Sequence, residues 1–471
     1  MSYMSHTRKI GEKCAVFGIY GKGLDVSRLT FFGLYALQHR GQENSGIAST
    51  DGEEVYCHKG VGLVAQVFNE GIIKSLPGHI AIGHNRYSTS SGVGVEYAHP
   101  IETSDKSISL VHNGNLPSVT LLDKFLKDRG IDLGNASDSM IITEAIHSLI
   151  KEGKSIEVAI EEIFPLMTGS FSILIMTKDK LVALRDQYGI RPLSIAKLNG
   201  GFVFASETCA FHPIGANFIR DVLPGEMVVV DESGMKIKQI VKGNQKLDIF
   251  EFVYFSRPDS TLLGKSIYGV RKNFGKRLAE EYLIDADVVI PIPETSIPVA
   301  IGYAEASGIP FEMGIIKSRY IHRTFIEPEQ HIRDQGVKLK LAPLKEMIEN
   351  KRVIVVDDSI VRGTTSRQIV KMLFETGAKE VHFVISSPPV RYPDFYGIDL
   401  PKQSDLLASK MTIEEMNRYL GSTSLNFLSY DGMIESTGLS ESLFCTSCFN
   451  GKYPIDLREK NDEVSYQKTP N

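Results

Sequence analysis

The 471-residue sequence predicts two joined folds. The first is an α+β half of layered antiparallel sheets with helices. The second is an α/β half with a mostly parallel sheet. Three observations predict this. Up to about residue 245 the chain repeats short β-rich runs broken by Gly and Asn turns. From Val288 it repeats a continuous apolar run, a turn and a helical periodicity. The texture changes between them, at residues 243–248, which marks the domain boundary.

In order, the first half contains CAVFGIYG, GHIAIGHNRY, SISLVHNGN, FSILIMTKDKLVAL, GGFVFAS and EMVVVDESG as strands. Charged amphipathic stretches at 121–128 and 137–151 read as two helical segments. Paired strands with so few helices indicate antiparallel layers rather than a βαβ array. In the second half, DVVIPIPETS precedes the helix IPVAIGYAEASG, RVIVVDDSIVRGTTS precedes RQIVKMLFETG, and EVHFVISSPP follows. Unbroken apolar strands of this kind are buried on both faces, as in parallel sheets. Helices are expected from about residue 402, then a loose polar tail over 454–471.

Composition narrows the function. With 42% apolar residues and 23% charged, the chain can build packed cores. The 52 basic and 57 acidic residues leave a net charge of −5, against a nucleic-acid-coating protein. No apolar run approaches the roughly 18 residues of a membrane span. The leader MSYMSHTRKIGEK lacks the apolar stretch of a secretory signal. Five cysteines, an odd number, do not make a disulfide scaffold. A reducing cytoplasm and small-molecule partners are therefore expected, with no nucleic acid and no membrane.

The sharpest local signal is VIVVDDSIVRGTTS. An apolar strand ends in Asp357 and Asp358, a loop with Gly363 follows, and Thr364, Thr365 and Ser366 open a helix. Unpaired amides at a helix start, with the dipole behind them, suit a phosphate. Gly363 allows close backbone approach, and the hydroxyls add donors. Two acids at the carboxyl edge of a strand can meet ribose hydroxyls or a divalent cation. A polar turn with a Thr cap is the plainer reading of any such strand–helix junction. The string is neither a Walker A loop nor G-x-G-x-x-G.

VIVVDDSIVRGTTS resembles the 5-phosphoribosyl-1-pyrophosphate (PRPP) motif of type I phosphoribosyltransferases, in the form found in the amidophosphoribosyltransferase family. The likeness continues through VVIPIPETS, RTFIEPEQHIRDQGVKLKL and SSPPVRYPDFYGIDLP. It implies that Asp357 and Asp358 face ribose and Mg²⁺, with Thr295 a further metal ligand. Ser359, Arg362, Gly363, Thr364, Thr365 and Ser366 would hold the 5-phosphate. Residues 317–340 would form a basic flap, in which His322 replaces the usual Gly.

Cys14 stands before an apolar strand, where a lone cysteine is more often an inert core residue. The stretches LQHRGQENSGIAS, GHNRYSTSSG, LVHNGNL, SDSM, RDQYGIRPLSI and ASETCAF, however, resemble class II, N-terminal-nucleophile glutaminases, which form αββα sandwiches. The resemblance implies that residues 1–13 are a leader removed on maturation and that 14–245 is the glutaminase. The phosphoribosyltransferase part would be 246–453, with C-terminal helices. Cys14 would be the nucleophile, its thiol deprotonated by its own freed α-amino group, whose ordinary pKa is about 7.7–8.0. Asn113 and the backbone of Gly114 would bind the oxyanion, although Asn-Gly is first of all a turn. Arg86 and Asp138 would bind the glutamine carboxylate and ammonium.

Many family members carry four cysteines that hold an iron–sulfur cluster. Here Cys445 and Cys448 remain, while Asp248 and Asp394 stand at the other two positions. Carboxylates are poorly matched to such a cluster, so none is expected, with a zinc site of the four residues as the alternative. Cys57 and Cys209 are expected to be structural. Gln187 replaces a usual Pro and frees a backbone N–H.

The reaction implied is glutamine hydrolysis in one half, with ammonia displacing pyrophosphate from Mg²⁺-PRPP in the other. The products are 5-phosphoribosylamine, pyrophosphate and glutamate, at the first committed step of purine synthesis. The resemblance also implies a homotetramer inhibited by purine nucleotides. The rivals are a class II amidotransferase with a different partner domain and a PRPP- or nucleotide-sensing regulator that keeps the fold.

Overall fold

The computed structural model describes residues 14–87, 94–318, 340–397 and 402–464. The leader 1–13, flap residues 319–339 with His322, and the end of the tail from 465 lie outside the described residues.

Two antiparallel sheets form the first half. One has the spatial order Asn217–Asp221, Ser194–Leu198, Gly201–Ala205, Ala15–Tyr20, Ile80–Arg86, Asn44–Thr50, Val55–Val61. The other runs Gly234–Gln239, Glu226–Asp231, Leu181–Arg185, Thr168–Met176, Ser109–Ser118, Ile101–Glu102. Alternation along each strand sorts side chains into layers. Val16 and Tyr20 meet Val111, Leu174 and Met176 between the sheets. Ala15, Phe17 and Ile19 point the other way, onto the helix Val26–Ala36. Leu110, Ile173 and Ile175 cover the far side of the second sheet together with helices Thr120–Lys127, Asp138–Lys151 and Ile156–Ile163. The result is a helix–sheet–sheet–helix sandwich.

Two of these helices correct the expectation of two helical segments. Val26–Ala36 was missed because VSRLTFFGLYA is rich in β-branched and aromatic residues, with a glycine inside. Gly33 is there for packing: a Cβ would lie 2.2 Å from the Phe17 ring. Ile156–Ile163 is eight residues long, short for a periodicity signal.

The second half is built on a four-stranded, all-parallel sheet ordered Val288–Pro291, Arg352–Asp357, Glu380–Ile385, Ser424–Phe427. Val289, Ile354, Val356 and Val384 face helices Ile267–Glu281 and Ile297–Ser307. Val288, Ile290, Val355 and Phe383 face helices Thr364–Glu375 and Ile413–Leu420. Both faces are covered, as the continuous apolar runs require.

Two further corrections fall near the C-terminus. The region from 402 is not only helical, since Ser424–Phe427 adds the last parallel strand. SLNF lacks the continuous apolar run that marks the other parallel strands. The tail from 454 is not loose throughout: Ile455, Leu457 and Val464 are buried beside Ile190 and Tyr396. Across the predicted boundary the halves interlock. Leu247–Asp248 pairs in parallel with Phe444–Cys445. Gln187 holds the connecting segment there, its carbonyl accepting from the Asn244 N–H at 2.9 Å and its side chain donating to the Lys242 carbonyl.

Candidate active site

Cys14 precedes the central strand Ala15–Tyr20 of the first sheet. Ala15 pairs with Asn85 on the neighbouring strand, so Cys14 and Arg86 end up side by side. Arg86 is mostly buried, and its guanidinium carbon lies 5.4 Å from the centre of the Tyr97 ring. Asn113 belongs to the other sheet and is almost wholly buried. Buried Ser206 joins the two sheets here: its Oγ accepts from the Val16 N–H at 2.9 Å and from Asn113 Nδ2 at 3.5 Å.

Gly114 follows with φ +154°, and a Cβ there would come 2.1 Å from the Ser170 carbonyl oxygen. The ladder to Thr168–Met176 then breaks between Asn115 and Ser118. Such a bulge releases backbone groups from pairing. The Leu116 N–H, thus released, donates to Asp138 Oδ2 at 3.1 Å. Asp138 is the first residue of helix Asp138–Lys151, whose cap is Ser137. Its Oδ1 accepts from the Ser139 N–H at 2.7 Å. Cys14 and Arg86 thus lie at adjacent strand ends, Asn113 and Gly114 lie within the facing sheet just before its bulge, and Asp138 opens the helix bonded to that bulge.

Three buried histidines, unremarked in the sequence, underlie this site. His84 and His99 stack with ring centres 4.3 Å apart. His84 Nε2 donates to the His112 carbonyl at 3.0 Å, and His112 Nδ1 lies 3.8 Å from Asp138 Oδ2. Burial pushes all three down from the usual imidazole range, His84 to about 3. They are neutral framework, and fixing a neutral tautomer orients the groups bonded to it.

A second group missed from the sequence is a buried ion network linking the halves. Arg40 donates from Nε to the Cys14 carbonyl at 3.2 Å and pairs with Glu207 and Glu251. Burial alone would raise Glu207, yet His39 and Arg40 hold it well below the usual carboxylate range. A buried charge among apolar-looking runs signals such a network only once its partner is known.

In the second half, Asp357 ends the strand Arg352–Asp357, and its Oδ1 accepts from the Asp358 N–H at 3.0 Å. Asp358 Oδ1 accepts from the Ser359 hydroxyl at 2.7 Å. Gly363, at φ +73°, is the cap of helix Thr364–Glu375 and has no side chain with which to bond the helix's first amides. A Cβ on Gly363 would also strike Leu407 at 2.6 Å. The Thr-cap reading of this junction therefore fails, and the helix start keeps its donors. Arg362 reaches Asp405 at 3.5 Å, and Ser366 is buried. Thr295 lies in the turn after Val288–Pro291, which pairs directly with the Asp357 strand. Two carboxylates and a hydroxyl at adjacent strand ends are hard oxygen donors of the kind Mg²⁺ takes. Ile315–Lys317 and Leu341–Pro343, on either side of the residues expected to form the flap, pair as a ribbon.

Asp248, Asp394, Cys445 and Cys448 are all buried. The first and third face each other in strand register. Burial, reinforced by Asp394, pushes Asp248 well above the usual carboxylate range. Burial and the two acids likewise push both thiols up. With carboxylates at two of the four positions, this donor set is poorly matched to an iron–sulfur cluster, which thiolates hold. Among the described residues no three His, Cys, Asp or Glu side chains are grouped to hold a metal. Burial also raises the Cys57 and Cys209 thiols. No described helix is long and apolar enough to cross a membrane.

This architecture is that of a glutamine amidotransferase fused to a phosphoribosyltransferase. Residues 84–213 match the glutamine amidotransferase domain model, and residues 263–388 match the phosphoribosyl transferase domain model. The chain is 44% identical to the amidophosphoribosyltransferase of Bacillus subtilis over 96% of both chains. It is 46% identical to that of Synechocystis, over 96% of this chain and 93% of the other. A solved B. subtilis glutamine PRPP amidotransferase, complexed with ADP and GMP, superposes with a TM-score of 0.88 at 43% identity, covering 97% and 99% of the two chains. The chain belongs to the amidophosphoribosyltransferase family.

Proposed function

We propose that glutamine hydrolysis runs on Cys14 with the residues around it, and that the ammonia released is used at Asp357–Ser366. After loss of residues 1–13, the Cys14 α-amino group takes the thiol proton. The sulfur then bonds to the glutamine Cδ. Asn113 Nδ2 and the Gly114 N–H bind the oxyanion, while Arg86 and Asp138 hold the substrate's carboxylate and ammonium. As the tetrahedral adduct collapses, the C–N bond breaks and the amine returns the proton, releasing ammonia. Water then cleaves the thioester to glutamate.

At the second site the uncapped start of helix Thr364–Glu375, with Ser359, Arg362, Gly363, Thr365 and Ser366, binds the 5-phosphate. Asp357 and Asp358 hold ribose and, with Thr295, Mg²⁺. When bound, Mg²⁺ neutralises charge on the pyrophosphate leaving group. Ammonia forms the C1–N bond as the C1–O bond breaks, and the amine sheds a proton. This reading includes a cytoplasmic homotetramer and inhibition by purine nucleotides. The relative solved with ADP and GMP supports the last point.

The observation that carries the proposal is the Ser206 bridge, which sets the strand after Cys14 against Asn113. The test is Cys14→Ala. It should abolish glutamine-dependent synthesis and keep ammonia-dependent synthesis. Intact mass of the active protein should start at Cys14. Full glutamine-dependent activity in protein that retains Met1 would overturn the donor half, and no PRPP-dependent turnover would favour a sensor.

A further inference from the structure

We infer that Asn115 is a positioning residue through which the C-terminal half completes the glutamine site. The inference rests on the roles proposed above for Gly114 and Asp138. Asn115 follows the proposed oxyanion amide and begins the bulge whose Leu116 N–H holds Asp138. Its side chain does not serve its own domain. Asn115 Nδ2 donates to the Phe395 carbonyl at 2.8 Å, 280 residues along the chain.

A second bond runs parallel to it. Ser170 Oγ donates to the Tyr396 carbonyl at 2.6 Å and accepts from the Asn115 N–H at 3.4 Å. Gly397, at φ +102°, packs on the Gly114 backbone so closely that its Cβ would lie 3.3 Å from Gly114 Cα. The segment that makes these contacts is itself anchored. Tyr396 is wholly buried, its hydroxyl donating to the Ile455 carbonyl at 2.8 Å. The Tyr396 N–H donates to Asp394 Oδ1 at 2.7 Å, and the Pro393 carbonyl accepts from the Tyr453 hydroxyl at 2.8 Å.

Leu116 and Pro117 fall in the register shift after Asn115, where the ladder is locally disrupted, so contacts from outside the sheet help to fix this stretch. Here the support is a fixed pair of carbonyls from the other half. Without it, the Gly114 N–H and the Leu116–Asp138 contact can shift together. A misplacement of about 1 Å at such a site costs on the order of a hundredfold in rate.

The test compares Asn115→Ala and Asn115→Asp, which cannot donate to the carbonyl, in the full-length enzyme. Glutamine hydrolysis should fall tenfold or more in kcat in both, and KM for glutamine should rise through Asp138. Ammonia-dependent synthesis, which bypasses the glutamine site, should stay within twofold. Glutamine turnover within twofold of the parent would overturn the inference. So would a parallel fall of both activities with a lowered melting temperature, which would make Asn115 merely structural. Asn113→Ala serves as the control on the underlying reading: if it keeps full glutaminase activity, the oxyanion assignment itself fails, whatever Asn115 does.

Discussion

Arg40 and Glu251 stand 211 residues apart in the chain, yet their side chains form a forked pair at 2.8 and 2.9 Å with no solvent exposure. Arg40 also donates to the Cys14 carbonyl, so one guanidinium ties the proposed nucleophile's residue to the second half. Removing one member of a fully buried pair costs about 3–5 kcal/mol, because the other charge is stranded. Arg40→Met should lower the melting temperature clearly and weaken glutamine turnover more than ammonia-dependent turnover. Calorimetry with both assays reads this out, and an unchanged melting temperature would contradict it.

Asp357→Asn removes charge at the end of the central parallel strand without changing shape. The Asp358 N–H still finds an oxygen there, so folding should persist. Synthesis from PRPP should drop at least a hundredfold, with basal glutaminase retained. Circular dichroism alongside the two assays separates this from misfolding, which would make the acid pair structural.

The three histidines give the glutaminase half a defined acid sensitivity. Burial depresses their folded pKa values, His84 to about 3, whereas the unfolded chain titrates near the ordinary value of about 6.5. Below that pH the unfolded chain binds protons that the folded one does not. Stability contributed by these residues is therefore full above about pH 6.5 and is lost as pH falls toward 3. Denaturation midpoints should decline over that window. In an NMR titration His84 and His99 should show no shift between pH 5 and 8.

At the buried acid–thiol cluster, burial and Asp394 raise the Asp248 carboxyl against the pull of Arg191, 3.5 Å away, and Asp248→Asn should still fold. A carboxyl raised by burial costs stability as pH rises above its unfolded value, since only the unfolded chain ionises readily. The variant should thus gain on the parent from about pH 4 toward neutrality. Purified protein should show no iron and no band near about 400 nm. Stoichiometric iron with that band would mean that the thiols ionise despite their surroundings.

Much of the molecule was legible in the order of its residues. The short apolar run CAVFGIYG marks a buried strand, and the unbroken VIVV run marks a strand in a parallel sheet. The acid pair, Gly363 and hydroxyls mark a helix start, because local chemistry alone sets a cap. The motifs around Cys14, Arg86, Asn113 and Asp138 could be picked out as a family pattern. Their side-by-side placement, through the Ala15–Asn85 register and Ser206, required the folded chain.

What only the tertiary structure decided has a common cause: each feature depends on a partner far away in sequence. The helix Val26–Ala36 overrides its own weak propensity because it covers Phe17 and Ile19. The strand Ser424–Phe427 exists because the edge of Glu380–Ile385 offers it hydrogen bonds. Arg40, Glu207 and Glu251 are ordinary surface types until burial makes each one's charge require the others. Nothing local singles out Asn115 until the Phe395 carbonyl, brought up by the second half, gives its side chain an acceptor.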